Sequence, residues 1–219
     1  MNQQSNFLRG VFVKIYLQAT EWLYGPLAWA YDAAAWLVSF GYWSRWRRDA
    51  LNYLIPGTIL ETGFGTGSLL IEMTQRGLGV IGIEPSWKMH QVTRKKLARK
   101  NVSVRRVCGV TQALPFANGA FCNLLSTFPS GYIADPETLA EVRRIISPAG
   151  RWVILGLGLR FKSQIKQFLA GWLLGDWKGS FIKAFIDLTQ HAGFRPKLVE
   201  HETEGYVLPI LILEVEHES

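Results

Sequence analysis

The chain has 219 residues, a length that fits one ordinary domain or one domain with an additional terminal arm. Apolar residues make up 48% of the chain, which is enough for a substantial core and argues against intrinsic disorder. No Cys/His cluster surrounds Cys108 or Cys122, so neither a disulfide framework nor a metal site is expected. A reducing, cytoplasmic environment is therefore the expectation.

The net charge of +7 is concentrated in one stretch, between Ser86 and Arg106. A solvated helix face explains such a stretch, and attraction to anionic lipid or nucleic acid is the alternative. RNA sites usually combine basic residues with exposed aromatic rings, and Trp87 is the one aromatic residue here. No specific nucleic-acid partner is therefore expected. The stretch has no acidic residue and contains the basic residues Lys88, Arg94, Lys95, Lys96, Arg99, Lys100, Arg105 and Arg106.

Neither a membrane span nor a signal peptide is expected. The longest uncharged run, residues 107–134, is interrupted by proline and glycine, which break helices. The first apolar stretch carries Lys14 and Glu21, and no small-residue cleavage site follows it at the right place.

Residues 1–56 are predicted to form a helical arm. An apolar stripe from Leu8 to Trp22, with steps of three and four residues, predicts an amphipathic helix. Gly25-Pro26 interrupts this helix. A second helical stretch is predicted from about Leu27 to Tyr53, and its seven-residue spacing places three indoles near one face. These are Trp29, Trp36 and Trp43.

From residue 57 onwards, strands alternate with helices, which predicts an α/β domain over residues 57–219. Such alternation indicates a doubly wound, Rossmann-like parallel sheet with helices on both faces, and a final hairpin makes the sheet mixed. Asp135 is a candidate N-cap of the third helix. The predicted strands are 58–62, 80–84, 102–107, 121–128, 152–157, 197–203 and 206–215. The predicted helices are 68–76, 86–100, 136–146 and 180–191, and Phe161, Ile165, Phe168 and Trp172 form a further amphipathic stripe.

The motif that carries chemistry lies between the first strand and the first helix of this domain. Gly63, Gly65 and Gly67 let the backbone turn sharply and approach a ligand closely. Glu84 ends the next strand, 21 residues after Gly63, where a carboxylate can accept hydrogen bonds from ribose hydroxyls. A dinucleotide site requires glycine or alanine where this chain has Ser68, and it leaves Glu61 unexplained. A carboxylate at Glu61 can instead hold the amino group of S-adenosyl-L-methionine (SAM).

The chain resembles class I SAM-dependent methyltransferases, in particular the group that includes the quinone-biosynthesis C-methyltransferases. The resemblance spans roughly residues 30–160 and implies a seven-stranded mixed sheet that ends in an antiparallel hairpin. It rests on residues 61–67, on 83–86 with Met89, on 113–116 followed by Phe121, and on 139–150. The implied cofactor site consists of Glu61, Gly63, Phe64, Gly65, Gly67, Glu84, Pro85, Val110, Thr111 and Thr127.

Two positions depart from the pattern of this family. Val110 stands where an acidic residue usually binds the adenine amino group, so backbone groups at Val110 and Thr111 are expected to serve instead. Cys122 stands where the family favours aspartate. These changes keep the fold and the cofactor class, but they favour one alternative, a SAM-binding protein without transfer activity.

No catalytic residue is assigned. The acceptor is expected near residues 127–132, where the chain lacks the polar side chain that nucleic-acid amino-methylases use. His90 is interpreted as a surface residue on the basic helix, and Tyr132 as a packing or hydrogen-bonding residue. Methyl transfer needs a general base only if the acceptor must lose a proton early.

The predicted function is methyl transfer to an apolar small-molecule or lipid-like acceptor, and the second alternative is RNA methylation through the basic stretch. The arm is interpreted either as ordinary packing over the sheet edge or as an apolar lid for such an acceptor. Indoles favour the membrane–water boundary, so a peripheral membrane contact is a further hypothesis. No metal is expected.

Overall fold

One mixed β-sheet organises the chain in the computed structural model, which describes residues 27–165 and 179–215. Strands β1 to β5 pair in parallel in the order β3-β2-β1-β4-β5, and β8 pairs antiparallel with β5, with β6 and with β7. The strands are β1 Ile59–Thr62, β2 Val80–Glu84, β3 Arg105–Cys108, β4 Phe121–Thr127, β5 Ile146–Leu155, β6 Arg160–Phe161, β7 Phe194–Glu202 and β8 Tyr206–Val215.

The expected seven-stranded sheet is confirmed, with one short strand added. Strand β7 lines β8 along one side, from Val207 to Val215. On the other side, β5 pairs with 210–214 and the two-residue β6 pairs with Tyr206 and Val207. Strand β6 therefore lies on the same side of β8 as β5.

Helices cover the sheet and complete the described part of the chain. The α-helices are α1 Tyr31–Val38, α2 Trp43–Asp49, α3 Ser68–Gln75, α4 Trp87–Lys100, α5 Pro136–Ile145 and α6 Gly179–His191. Short 3₁₀ helices occupy Ala28–Ala30, Ala50–Tyr53 and Gly131–Ala134. Within the described ranges, no helix is long and apolar enough to cross a membrane.

Side-chain alternation along the strands builds a core on each face of the sheet. Ile59 and Leu125 belong to one cluster, together with Trp46 of α2 and Met73 of α3. Their neighbours in the strands, which point to the other face, form the second cluster. That cluster contains Leu60, Leu124, Trp152, Val142 of α5 and Phe185 of α6. The doubly wound arrangement expected from the sequence is thus present.

The second helical stretch of the arm is not continuous, contrary to the prediction. It breaks between α1 and α2, where Phe40 and Gly41 have φ of 53° and 82°. The Ser39 hydroxyl donates to the Trp36 carbonyl at 3.1 Å and accepts from the Trp43 amide at 3.0 Å. Ser39 therefore ends one helix, and its hydroxyl accepts from the first amide of the next. The helix predicted over residues 7–24 lies outside the described residues.

Three other local predictions need correction. Strand β5 begins at Ile146, because the predicted turn at Pro148–Gly150 is an irregularity within the strand. Phe161 lies in β6 and is buried, and Phe168 and Trp172 of the same predicted stripe lie outside the described residues. Asp135 is the N-cap residue of α5, as predicted, but its side chain makes no capping hydrogen bond and accepts from Gln112 at 2.6 Å instead.

Candidate functional site

The glycine-rich loop leaves β1 with three backbone conformations that favour glycine. Gly63, Gly65 and Gly67 have φ of 65°, 55° and 70°, in the left-handed region that L side chains avoid. The Gly63 amide donates to the carbonyl of Ile83 at 2.8 Å, which ties the loop to the neighbouring strand β2. Gly67 is the N-cap of α3. The loop therefore turns directly from strand to helix, as predicted.

Gly65 and Gly67 have different surroundings. A Cβ at Gly67 would lie 2.4 Å from Thr93 Cγ2, so this glycine is required for packing between the loop and α4. A Cβ at Gly65 would meet no atom within 4 Å among the residues that the structure describes. The packing therefore leaves space for a side chain there, although the positive φ of Gly65 would strain one. Gly65 is consequently the position at which a ligand can approach the backbone.

Glu84 lies at the carboxyl end of β2 and faces this loop. One carboxylate oxygen accepts from the Gly65 amide at 3.0 Å, and the other accepts from the Ser86 amide at 2.9 Å. Burial raises the pKa of Glu84, although both backbone hydrogen bonds and His90 oppose the increase. Each carboxylate oxygen can accept a further hydrogen bond, so Glu84 can bind a diol.

Glu61 is a buried carboxyl with incomplete hydrogen bonding. Its side chain is 1% exposed, and Oε2 has no hydrogen-bond partner among the described residues. Burial raises the pKa of Glu61 to about 8, while the positive charge of Arg47 opposes the shift and the negative charge of Glu84 adds to it. A buried carboxyl without a partner is costly, and a cationic ligand group would offset that cost.

Arg47 brings a buried positive charge from the arm to the same region. It lies in α2, is 8% exposed, and its guanidinium stands 5.7 Å from the centre of the Trp43 ring. Its Nε has no hydrogen-bond partner within the described part of the chain, and no ion pair joins it there to an acidic residue. The arm therefore contributes a charged group to the site.

A polar cluster attaches the arm to the glycine-rich loop. The Asp32 carboxylate of α1 accepts from the Thr66 hydroxyl at 2.7 Å and pairs with the Lys96 ammonium of α4. Lys96 also donates to the Ser68 hydroxyl at 2.8 Å. Burial alone would raise the pKa of Asp32, but hydrogen bonds from Lys96 and Thr66 outweigh it and lower the pKa. Lys96 belongs to the predicted basic face, yet its ammonium is paired with groups of the fold.

His90 is not a surface residue, so that interpretation is wrong. It is 7% exposed, and its Nε2 lies 3.0 Å from the Glu84 carbonyl. Its ring contacts Phe64 edge-on, with 4.9 Å between the ring centres. The reason is that the first turns of α4 pack against the end of β2. His90 therefore supports the backbone beside Glu84.

Hydroxyl groups form a second polar cluster at the ends of β1 and β4. The Tyr132 hydroxyl lies 3.1 Å from Thr62 Oγ1, which lies 2.5 Å from Ser126 Oγ. The Trp152 indole donates to that Ser126 hydroxyl at 2.8 Å. Burial raises the pKa of Tyr132, so its phenol is held in the protonated form. The hydrogen-bonding role predicted for Tyr132 is confirmed.

Aromatic rings of the arm cover the end of β4. Phe128 follows Thr127 directly and stacks on Trp43 of α2, with 4.1 Å between ring centres. Trp46 contacts both Phe128 and Phe161 at 5.9 Å. The indole nitrogens of Trp43 and Trp46 are buried and have no acceptor among the described residues. We call Trp43, Trp46 and Phe128 the aromatic wall.

The topology brings the predicted site residues to one edge of the sheet. Parallel strands β2, β1 and β4 end there together, so Glu84, the glycine-rich loop and Thr127 are neighbours. The turn after β3 joins them, because the Gly109 amide donates to the Glu84 carbonyl at 3.3 Å. Within this turn Val110 is 47% exposed and Thr111 is buried. Over the described ranges, no three His, Cys, Asp or Glu side chains could hold a metal ion.

Sequence reasoning does not assign roles to Asp32, Lys96 or Arg47. Tyr31-Asp32 and Trp46-Arg47 are visible only as motifs of the arm. Their partners lie far along the chain, because Thr66 and Lys96 are 34 and 64 residues from Asp32. The signal that could have indicated such a role is Asp32 itself, the single charged residue between Glu21 and Arg45.

Comparison with known proteins agrees with this geometry. A family model described as a methyltransferase domain matches residues 59–150. A demethylmenaquinone methyltransferase from Thermus thermophilus is 31% identical over 172 residues, which cover 71% of this chain and 78% of that protein. A ubiquinone/menaquinone biosynthesis C-methyltransferase from Geotalea uraniireducens is 30% identical over 142 residues, which are 61% of this chain and 60% of that protein.

A solved structure shares the fold. It is an S-adenosyl-L-methionine-dependent methyltransferase from Methanococcus maripaludis, with a TM-score of 0.61 and 16% sequence identity. The superposition covers 79% of this chain and 84% of that one. At this level of identity, the likeness extends to the architecture of the sheet and its helices.

Proposed function

Because this chain belongs to the family of class I SAM-dependent methyltransferases, we propose that it methylates an apolar small-molecule or lipid-like acceptor. SAM, when bound, supplies an electrophilic methyl group that the acceptor takes up by in-line displacement. The observation that carries the choice of acceptor is the aromatic wall, which covers the carboxyl end of β4, next to the end of β1. Two relatives that are about 30% identical are named as methyltransferases of quinone biosynthesis.

The donor site is proposed at the carboxyl ends of β1 to β4. Glu61 has an orphaned carboxylate oxygen for the ammonium group, and Glu84 has accepting capacity for the ribose diol. Gly65 leaves room for close approach to the backbone. The remaining proposed contacts are Gly63, Phe64, Gly67, Pro85, Val110, Thr111 and Thr127, with backbone groups of Val110 and Thr111 toward the adenine.

The aromatic wall is proposed to receive the acceptor. Stacked rings exclude water and present flat apolar surface, which favours a planar or isoprenoid-like group. The buried indole N–H groups of Trp43 and Trp46 would gain acceptors from ring oxygens of such a molecule. The protein's contribution to the reaction is then alignment of the acceptor and exclusion of water. No general base is assigned, because Tyr132 is engaged with Thr62.

Residues 1–56 are proposed to act as an arm that closes the site, with the methyltransferase domain at 57–219. Two observations support this division into an arm and a domain. Asp32 pairs with Lys96, and Arg47 contacts Trp43. In this proposal, the arm supplies the acceptor wall and the sheet supplies the donor site.

The test of function is methyl transfer from methyl-labelled SAM to a lipid extract, to total RNA and to protein. Label in the lipid fraction is the expected result. Label in RNA would support the alternative that uses the basic stretch. Binding of S-adenosylhomocysteine without label in any fraction would support a SAM-binding protein without transfer activity. Trp43→Phe, which keeps an aromatic ring and removes the N–H, should reduce transfer less than Trp43→Ala.

A peripheral membrane contact is proposed as a refinement. On the arm, Trp29 and Trp36 are 74% and 60% exposed in the described structure, and Trp87 is exposed at the start of the basic helix. Exposed indoles next to positive charge favour an anionic membrane surface. Flotation with anionic vesicles should recover the parent, and Trp29→Ala with Trp36→Ala should reduce recovery. Leu198→Ala, which removes an exposed apolar side chain of β7, is the control, and a parent that never floats would contradict the proposal.

A further inference from the structure

A chain of hydrogen-bonded side chains lies at the carboxyl ends of β1 and β4. The Trp152 indole lies 2.8 Å from the Ser126 hydroxyl, which lies 2.5 Å from Thr62 Oγ1. Thr62 Oγ1 in turn lies 3.1 Å from the Tyr132 hydroxyl. Thr62 and Ser126 are partners in the register of β1 with β4, so their side chains are neighbours on one face of the sheet. Both are buried, as is Trp152, and Tyr132 is the half-buried end of the chain.

The indole fixes the direction in which this chain donates. An indole N–H can only donate, so the Ser126 oxygen accepts from Trp152. Ser126 has one proton of its own, and the acceptor bonded to this hydroxyl within the described residues is Thr62 Oγ1. The Thr62 proton is then left for the Tyr132 oxygen. Each hydroxyl therefore donates toward Tyr132.

The opposite direction would leave a buried proton without an acceptor. If Tyr132 donated to Thr62 and Thr62 to Ser126, the Ser126 proton would have no partner in the described part of the chain. A buried polar group in that state costs about 1–3 kcal/mol. In the favoured direction, the Tyr132 proton is left with the Thr62 carbonyl at 3.5 Å, a distance too long for a good hydrogen bond. The phenol proton is thus available to a ligand.

The Tyr132 hydroxyl lies beside the glycine-rich loop. A Cβ at Gly63 would lie 3.4 Å from the phenol oxygen, at the start of the loop in which the donor is proposed to bind. Ser126 is followed by Thr127 and then by Phe128, which belongs to the aromatic wall. The phenol therefore stands at the end of the sheet where the donor and acceptor sites are both proposed.

We propose that Tyr132 donates a hydrogen bond to an oxygen of the methyl acceptor, next to the atom that takes up the methyl group. This inference rests on the proposed function and assigns Tyr132 a catalytic role in it. An atom next to such an oxygen becomes more nucleophilic as negative charge develops on the oxygen, and a preorganised O–H group stabilises that charge. The chain from Trp152 holds the phenol in place and orients its proton.

Tyr132 keeps its proton in this role. Burial raises the pKa of Tyr132, although hydrogen bonds with Thr62 and Ser126 oppose the increase, so the phenol is a donor and not a base. The acceptor gains the methyl group as the bond from that group to sulfur breaks, with the electron pair left on sulfur. The proton that the acceptor gives up passes to water.

The experiment compares the binding of 1-naphthol and naphthalene to the full chain saturated with S-adenosylhomocysteine. Both compounds are flat and apolar, and only 1-naphthol carries an oxygen. Tyr132→Phe should weaken 1-naphthol binding by about 10-fold, the effect of one lost hydrogen bond. It should change naphthalene binding by less than about twofold. Tyr53→Phe is the matched control, because the Tyr53 hydroxyl also bonds a side chain, that of His201 at 3.0 Å.

The absorption of bound 1-naphthol provides a readout that a purely structural residue would not move. Naphthol and naphtholate absorb at different wavelengths, so a pH titration of the complex measures the pKa of the bound naphthol. A hydrogen bond from Tyr132 favours the anion, so Tyr132→Phe should raise this pKa. Thr62→Val keeps the phenol and removes the hydroxyl behind it, so it should raise the pKa less. This second variant keeps the test decisive if Tyr132→Phe folds poorly.

Equal weakening of 1-naphthol and naphthalene by Tyr132→Phe would overturn the inference in favour of a structural role. Unchanged binding of both compounds, with an unchanged pKa of the bound naphthol, would overturn it as well. Loss of S-adenosylhomocysteine affinity alone would place the phenol against the donor instead. A parent that binds S-adenosylhomocysteine but neither aromatic compound would overturn the proposed acceptor site, and this inference with it.

Discussion

Ionisable side chains differ between the carboxyl edge of the sheet, where the donor site is proposed, and the β7–β8 hairpin. At the site, Glu61 and Arg47 are buried and incompletely paired. On the hairpin, exposed charged side chains form ion pairs with basic or acidic neighbours. The hairpin pairs are Arg160–Glu200 at 2.5 Å, Lys162–Glu202 at 2.8 Å and Arg195–Glu214 at 2.9 Å.

We attribute this difference to the proposed donor site, where ligand binding rather than stability would explain the buried groups. Surface ion pairs contribute little to the free energy of unfolding, because water screens them and the side chains lose entropy. Buried charges without partners reduce that free energy, so a fold keeps them only where something else benefits. We therefore expect substitutions at the site to change ligand binding strongly and substitutions on the hairpin to change little.

The largest effect is expected at Gly65. Gly65→Ala should weaken S-adenosylhomocysteine binding by roughly 100-fold, because a methyl group would occupy the space for close backbone approach. Gly77→Ala is the matched control, since Gly77 also has positive φ and a Cβ there also meets no described atom within 4 Å. Both variants should lose about 1–2 kcal/mol of stability from backbone strain. Equal binding by the two variants, measured by calorimetry, would place the site elsewhere.

The second effect concerns the pH dependence of stability through Glu61. Its pKa is raised to about 8 in the folded protein from an ordinary value of 4.5, so the folded state binds the proton more tightly. Stability therefore falls as pH rises between these two values, by at most about 1.4 kcal/mol per pH unit. Glu61→Gln cannot ionise, so that part of the slope should disappear.

Denaturant unfolding of parent and Glu61→Gln between about pH 5 and about pH 8 measures this slope. The slope is the readout because the substituted amide also changes the surroundings of Arg47 at every pH. The same variant should bind S-adenosylhomocysteine more weakly. A parent-like slope in the variant would show that Glu61 does not titrate in this range.

The third effect concerns the attachment of the arm. Asp32→Asn removes the charge that pairs with Lys96 and should speed hydrogen exchange in α1. Burial disfavours the charge of both partners and lowers the pKa of Lys96, so the ion pair stabilises the fold only modestly. We therefore expect Asp32→Asn to reduce the free energy of unfolding by about 1 kcal/mol or less. Glu202→Gln removes the exposed pair of β7 with Lys162, which does not involve α1, and is the control. Unchanged exchange in α1 would contradict a role for Asp32 in holding the arm.

Local patterns explain why much of this architecture could be predicted from the sequence. Glu61 and Glu84 lie on two neighbouring strands, and the glycine-rich loop follows the first of them. The ends and spacing of these strands are therefore sufficient to bring the three together. The break at Ser39 escapes prediction because Phe40 adopts a positive φ, which a bulky residue rarely does. The burial of His90 escapes it as well, because a basic helix suggests solvent, whereas the first turns of α4 pack against the end of β2.

The roles of the arm could not be predicted because they depend on distant partners. Asp32 meets Lys96 across 64 residues and Thr66 across 34 residues. Periodicity indicates which face of a helix is buried, but it does not identify the groups on the opposing surface. The cofactor half of the proposed site is therefore carried by a local motif, whereas the attachment of the arm depends on residues far along the chain.

The smallest effect is expected on the hairpin, at the pair of Arg160 with Glu200. Both side chains are more than half exposed, and their nitrogen–oxygen distance of 2.5 Å does not alter the screening by water. Arg160→Gln should change the free energy of unfolding by less than about 0.5 kcal/mol and leave S-adenosylhomocysteine affinity unchanged. Denaturant unfolding at low and high salt provides the measurement, since any contribution of the pair should shrink with added salt. A loss above about 1 kcal/mol that survives high salt would mean that exposed pairs also support this fold, and the contrast with Glu61 and Arg47 would then fail.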